Sequence, residues 1–222
     1  MSLPLVVALD GPSGSGKSST ARGVAARLGL AYLDTGAMYR AVTWALLQRG
    51  VDTDDAAAVA AAVADVTIES GTDPAEPTIV ADGVDVAVEI RSDEVVRHVS
   101  PVSTVPQVRT HLVDLQRQVI AAATPGIVVE GRDIGTVVAT DAAVKVYLVA
   151  DPEARASRRA AEEGGSDTAA TAASLLRRDR IDSTRATSPL AKADDAVEID
   201  TTFLTLDEVI GQIVALAEEA RS

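Results

Sequence analysis

The sequence predicts an α/β protein: a doubly wound, five-stranded parallel sheet with a small inserted β-sheet and helix and a helical lid. Three observations predict this fold. Short apolar runs of strand length alternate with amphipathic helical segments, the first run leads into a glycine-rich loop, and residues 66–99 interrupt the alternation with a β texture. With 222 residues and 47% hydrophobic residues, the chain can form one such domain.

The first strand and the loop after it carry the clearest chemical signal. Leu5–Leu9 is apolar but too short for a typical helix, so we expect a buried strand. Residues 11–18 read G-P-S-G-S-G-K-S and satisfy the pattern G-x-x-x-x-G-K-[ST]. Small residues let backbone N–H groups surround phosphates, and the following helix adds the positive end of its dipole. The alternative is a turn that merely joins strand to helix.

Within this loop the side chains have distinct expected roles. Lys17 supplies a positive charge for the β- and γ-phosphates of a nucleotide, and the Ser18 hydroxyl is placed to ligate Mg²⁺. The predicted donor-binding residues are Gly11, Pro12, Ser13, Gly14, Ser15, Gly16, Lys17, Ser18 and Ser19.

The remaining core elements follow from periodicity and from cap residues. We expect four further strands, over 31–33, 127–129, 144–149 and 196–199. We expect helices over 18–28 (ended by Gly29), 37–48, 54–65, 104–123, 152–163, 169–185 and 206–220. The last helix begins with a capping box formed by Thr205 and Glu208.

The interrupting segment is predicted to be an inserted small sheet. Asp82-Gly83 marks a tight hairpin between apolar runs, and a short helix is expected over 92–98. We therefore divide the single domain, residues 1–222, into a core (1–34 and 101–222), an insert (about 35–100) and a lid (about 153–168).

Composition limits the classes of partner. The net charge of −13 opposes binding to nucleic acid or to an anionic membrane. No apolar stretch reaches the length of a membrane span, and the first residues do not resemble a signal peptide. Cysteine is absent, which fits a reducing cytoplasm. We expect a cytoplasmic monomer that binds small molecules.

Arginine is concentrated against this acidic background. Seven of the twenty Lys and Arg residues lie between Arg155 and Arg185, and further arginines follow the predicted strands. A solvated helix face with Arg–Asp pairs would explain the cluster equally well. Beside a phosphate-binding loop, however, arginine is suited to fix a second phosphorylated molecule, because two anions must approach to bonding distance.

Four motifs, in this order along the chain, resemble those of a known family: D-G-P-S-G-S-G-K-S-S, L-D-T-G-A-M-Y-R, E-G-R-D-I-G-T-V-V and R-R-D-R-I-D-S-T-R-A. Together they resemble the bacterial cytidylate kinases over essentially the whole chain. The resemblance implies a P-loop kinase core and transfer of the ATP γ-phosphoryl group to CMP or dCMP, with Mg²⁺. It also implies that the inserted sheet belongs to the nucleoside-monophosphate-binding part.

The resemblance also implies roles for individual residues. It implies a clamp on the CMP phosphate, a turn with hydroxyl groups beside it, contacts to the cytosine edge, contacts to the sugar, and lid arginines. The corresponding residues are Arg40, Arg132 and Arg185 (clamp), Thr35 and Tyr39 (turn), Ser100, Arg109 and Asp133 (cytosine), Arg178 and Asp182 (sugar), and Arg158 and Arg159 (lid). The catalytic set is Lys17, Arg132, Arg158 and Arg185, and Asp34 is assigned to the magnesium ion and its waters.

Simpler interpretations remain for several of these residues. Asp133 could form only a structural ion pair with Arg109, Tyr39 could be a core residue, and Asp182 could be a surface partner of Arg178. For the whole protein, the alternatives are a kinase acting on another small acceptor, such as UMP or a non-nucleotide, and a non-catalytic nucleotide-binding or switch module.

Overall fold

The computed structural model describes residues 4–162, 167–184 and 188–221. In this part of the chain the strands and α-helices are β1 (Leu5–Asp10), α1 (Lys17–Leu28), β2 (Ala31–Asp34), α2 (Thr35–Gln48), α3 (Ala56–Ala62), β3 (Ile68–Ser70), β4 (Ile79–Ala81), β5 (Val84–Asp85), α4 (Asp93–Thr104), α5 (Pro106–Ala122), β6 (Gly126–Gly131), β7 (Val144–Val149), α6 (Pro152–Glu162), α7 (Thr168–Thr184), β8 (Val197–Asp200) and α8 (Leu206–Glu219).

Five strands form an all-parallel sheet in the order β2-β6-β1-β7-β8. This confirms the predicted α/β class. Strand β1 lies at the centre, and its last residue, Asp10, pairs in register with Gly131 of β6. The carboxyl ends of β1, β2 and β6 therefore meet at one edge of the sheet, where ligands bind in folds of this kind.

Helices cover both faces of this sheet. Alternate residues of β1 point to opposite sides, so Val7 and Leu9 pack with α1 and α8, whereas Ala8 packs with α2 and α5. Apolar burial on both faces holds β1 in place, and the loop that follows β1 consequently starts from a fixed point.

A second, three-stranded antiparallel sheet follows α3, in the order β3-β4-β5. Asp82 and Gly83 both have positive φ and form the tight turn between β4 and β5, as predicted. The sheet packs its apolar face, including Ile79 and Ala81, against the core cluster that contains α2.

Two neighbouring expectations, the helix over 92–98 and the helix start at Thr104, were wrong. The short helix predicted over 92–98 continues to Thr104 through Pro101, because the helical spacing of Val95, Val99 and Val102 buries all three side chains. That burial offsets the hydrogen bond that a proline inside a helix removes. As a result α5 begins at Pro106 with Val105 as its N-cap, rather than at Thr104.

Residues 134–138 form a short π-helix that periodicity did not indicate. The predicted helix ends at 163 and 185 lie outside the described residues; within them, α6 extends to Glu162 and α7 to Thr184.

Candidate active site

The glycine-rich loop lies between β1 and α1, as its sequence predicts. Gly16 is the N-cap of α1 and has φ of 86°, a left-handed conformation that favours glycine. The fully buried Ser15 hydroxyl donates to the carbonyl of Pro12 at 2.9 Å and closes the loop. These contacts hold the loop in a compact curve at the N-terminus of α1, where unpaired backbone amides favour anions.

Lys17 lies inside this curve. Its Nζ donates to the carbonyl of Pro12 at 2.7 Å, and the side chain is almost completely buried. Burial, followed by repulsion from Arg132, lowers the pKa of Lys17 to about 7, although nearby carboxylates oppose the shift. A bound polyphosphate would supply the negative charge that favours the protonated form of this amine.

Glu130, the penultimate residue of β6, holds the other side of the loop. Its Oε2 accepts from the Ser18 hydroxyl at 2.9 Å and its Oε1 from the Tyr32 hydroxyl at 2.5 Å. Burial, together with the charge of Asp34, raises the pKa of Glu130 to about 7. Sequence reasoning placed Glu130 at a strand end but gave it no role, and only the adjacency of β6 to β1 brings it to Ser18.

Next to the loop is a cavity of about 380 Å³. It brings together most of the residues predicted for the donor and the acceptor. From the loop and α1 it is lined by Ser13, Gly14, Gly16, Lys17, Ser18 and Ser19, and from elsewhere in the chain by Asp34, Thr35, Tyr39, Arg40, Ser100, Arg132, Asp133, Arg178 and Asp182.

Three guanidinium groups lie close together on the acceptor side of this cavity. Arg40 Nη2 is paired with Asp34 Oδ2 at 3.1 Å, and Arg132 Nε with Asp182 Oδ2 at 3.0 Å. Burial, then the positive charges of Arg132 and Arg40, lower the pKa of Arg178 to about 10. Such mutual repulsion is relieved by an anion, so this side of the cavity is suited to bind a phosphate group.

Asp133 is a carboxylate in the wall of the cavity. It is buried and pairs with Arg109 Nη2, whose side chain is also buried. The Arg109 guanidinium lies 5.6 Å from the centre of the Tyr39 ring, an arrangement that favours a cation–π contact. Asp133 and Tyr39 line the cavity, whereas Arg109 lies behind Asp133 and orients it.

Known proteins of one family are similar to this chain over nearly its whole length. A family model described as cytidylate kinase matches residues 7–219. A cytidylate kinase of Streptomyces coelicolor is 60% identical over 218 residues, which cover 98% of this chain and 94% of that protein. One of Streptomyces avermitilis is 57% identical over 218 residues, with the same two coverages.

The chain belongs to the cytidylate kinase family. The fold is shared more widely: a crystal structure of a gluconokinase from Sinorhizobium meliloti superposes with a TM-score of 0.51 at 14% identity, covering 100% of this chain and 96% of that one. At that identity the likeness concerns the α/β fold alone.

In this member of the cytidylate kinase family, one of the two predicted lid arginines, Arg158, does not line the cavity. Arg158 donates to Thr201, to its Oγ1 at 2.9 Å and to its carbonyl at 2.6 Å, beside the loop that follows β8. Its neighbour Arg159 lines the cavity instead. Arg185 lies outside the described residues.

Besides Glu130, two carboxylates near the site, Asp10 and Asp179, were missed as functional residues from the sequence. Asp10 accepts from the backbone N–H groups of Ile134 and Gly135 at 2.9 and 2.8 Å, which fixes the start of the π-helix beside Asp133. Asp179 of α7 contacts the glycine-rich loop. The position of Asp10 at a strand end was a usable signal, whereas nothing in the sequence distinguished Asp179 from a surface residue.

Among the described residues, no three His, Cys, Asp or Glu side chains cluster as a metal-binding group. None of the helices in those residues has the length and apolar character needed to cross a bilayer.

Proposed function

We infer that this protein transfers the γ-phosphoryl group of ATP to CMP or dCMP, giving ADP and CDP or dCDP. The observation that supports this most is one cavity lined both by Lys17 and Ser18 and by Arg40, Arg132 and Arg178. A switch protein needs only the first half of that cavity. Two facing anion sites suit transfer between two phosphorylated molecules.

We propose that the transfer is direct and in line, without a covalent enzyme intermediate. Lys17 neutralises the donor phosphates, and Arg40, Arg132 and Arg185 hold the acceptor phosphate against them. The acceptor oxygen is already anionic at neutral pH and needs no general base. Arg159, which lines the cavity, stabilises charge on the transferred group, a role predicted for Arg158 as well.

The donor requires Mg²⁺, and the residues present fit it. Mg²⁺ is held by few protein oxygen ligands and keeps several waters, and the Ser18 hydroxyl and the Glu130 carboxylate meet at one point of the cavity wall. Asp34, also proposed for the metal waters, uses Oδ1 to cap α2 at Ala37 and Oδ2 to bind Arg40. When bound, the ion would neutralise part of the negative charge of the donor phosphates.

Recognition of the base is proposed to rest on Asp133 and Ser100. A carboxylate can accept from the exocyclic amino group of cytosine, and a hydroxyl can donate to its O2 or N3. Arg109 belongs to the same set through its ion pair with Asp133. Thr35 and Tyr39 support the phosphate turn, and Arg178 and Asp182 contact the sugar.

We propose that residues 35–100 act as the acceptor-binding insert on a core of 1–34 and 101–222. Residues 153–168 would act as a lid that excludes water, since ATP hydrolysis is the competing reaction. We further propose that the protein works as a cytoplasmic monomer.

A coupled assay of ADP release with CMP, dCMP, UMP, AMP and shikimate as acceptors tests this function. We expect turnover to rise steeply with CMP and dCMP and to exceed that with the other acceptors. ATP turnover that is independent of any acceptor would favour the non-catalytic switch. Preference for UMP or shikimate would favour a kinase with a different acceptor.

A further inference from the structure

Asp179 and Arg155 form a closed ring of contacts around Ser13 of the glycine-rich loop. Asp179 Oδ1 accepts from the backbone N–H of Ser13 at 3.4 Å, and Asp179 Oδ2 accepts from Arg155 Nη1 at 2.5 Å. The same Arg155 nitrogen donates to the carbonyl of Ser13 at 3.0 Å. The backbone N–H and the backbone carbonyl of Ser13 are therefore both hydrogen-bonded to an ion pair between α6 and α7.

The fit at this ring is tight. The Arg155 and Asp179 side chains are 7% and 18% exposed. Gly14, the next loop residue, has φ of 76°, and a Cβ on it would lie 2.9 Å from the Arg155 carbonyl oxygen. Arg155 therefore lies directly against the loop, and a hydrogen-bonded ion pair joins Arg155 to Asp179.

Helix α7 extends from this ring to the acceptor side of the cavity. Arg178, the residue before Asp179, lines the cavity. Asp182 lies three residues after Asp179, near the same side of the helix, and binds Arg132. The negative charge of Asp179 also favours the protonated forms of both Lys17 and Arg132, so Asp179 acts electrostatically on residues of the donor and acceptor halves.

We propose that Asp179 is a positioning residue. It couples the binding of ATP at the glycine-rich loop to the contacts that α7 makes with the acceptor. Donor phosphates accept hydrogen bonds from the amides of the loop that Asp179 holds through Ser13. Rearrangement of that loop is passed through the ion pair to α7, and so to Arg178 and Asp182. The inference rests on the proposed function, because it needs CMP as the acceptor.

Calorimetric titration of CMP, with and without a saturating non-hydrolysable ATP analogue, tests the coupling. In the wild type we expect the analogue to tighten CMP binding by at least about fivefold. Asp179→Asn keeps an acceptor for Ser13 but loses the charge that binds Arg155. We expect this variant to bind CMP alone within about threefold of the wild type while the effect of the analogue falls below about twofold.

Two further variants and a thermal melt make the test specific. Asp179→Glu retains the charge and should restore part of the coupling, and Arg155→Lys should weaken it if Asp179→Asn does not fold. Asp207→Asn, at an exposed ion pair with Arg27, is the matched control and should leave coupling unchanged.

The outcomes separate the possible roles of Asp179. A lower melting temperature and equal weakening of both ligands, with the coupling ratio intact, would mean that Asp179 is only structural. Absence of coupling in the wild type would also overturn the proposal. Failure of the proposed function looks different, because the wild type would then not bind or phosphorylate CMP at all.

Discussion

The hydroxyl of Ser18 donates to Oε2 of Glu130 at 2.9 Å across 112 positions of sequence. This bond joins the first turn of α1 to the end of β6 and leaves two hard oxygen ligands at the wall of the cavity. The Tyr32 hydroxyl binds the other oxygen of Glu130 and fixes the carboxylate plane. Such fixed oxygens are what a small divalent cation requires.

Glu130→Gln should therefore weaken the use of Mg²⁺. The amide can still accept from Ser18 but lacks the negative charge, and we expect the Mg²⁺ concentration for half-maximal activity to rise by about 10- to 100-fold. Initial rates against free Mg²⁺ at saturating ATP and CMP measure this. Glu130→Asp should retain much of the affinity, and Glu198→Gln, at an exposed pair with Lys192, should retain all of it. An unchanged Mg²⁺ dependence in Glu130→Gln would remove Glu130 from the metal site.

Lys17→Ala should separate activity from stability. We expect kcat to fall by roughly 10²- to 10³-fold, because a charge that stabilises the donor phosphates is lost. The melting temperature of the empty enzyme should not fall, because the change also removes a buried cation whose pKa burial lowers to about 7. A coupled assay and a thermal melt test both points, with the exposed Lys192→Ala as control. Near-normal turnover would contradict the role assigned to Lys17.

Asp133→Asn should weaken the use of CMP but not the use of ATP. The amide cannot reproduce a charged acceptor for the cytosine amino group, so we expect the KM for CMP to rise by at least about tenfold. The KM for ATP should stay within about threefold, because Asp133 lies on the acceptor side. Asp114→Asn, on the exposed face of α5, is a control from the same region. Equal losses for ATP and CMP would indicate that Asp133 serves only as the partner of Arg109.

Asp10 should make the stability of the empty enzyme depend on pH. Burial raises the pKa of Asp10 from 3.8 to about 6, despite two backbone hydrogen bonds that oppose the shift. The folded state thus binds a proton more tightly than the unfolded state, and this contribution is complete below pH 3.8 and lost as pH rises through 6.

The corresponding measurement compares the wild type with Asp10→Asn. The difference between their free energies of unfolding should fall by roughly 2–3 kcal/mol from pH 4 to pH 7. Urea denaturation at each pH gives this difference, and the lost Gly135 hydrogen bond adds only a constant offset. A difference that stays flat or rises with pH would show that Asp10 is not held with a raised pKa.

Much of the site could be predicted because its signals are local. The spacing of Gly11, Gly16, Lys17 and Ser18 is contained in eight residues, and the turn at Asp82-Gly83 and the capping box at Thr205 are equally local. By contrast, α4 was predicted too short, because the penalty for Pro101 is local whereas the burial of Val99 and Val102 that offsets it is not.

The sequence by itself determined the parallel α/β fold, the glycine-rich loop, and the set of arginines that lie around the cavity. Only the tertiary structure decided which residues meet: Glu130 with Ser18, Asp133 in front of Arg109, Arg159 rather than Arg158 at the cavity, and Asp179 against Ser13. The physical reason is that spacing along a strand or helix fixes only the element and the face on which a side chain lies. Its partner is fixed by strand order and helix packing, which here join residues between 24 and 166 positions apart.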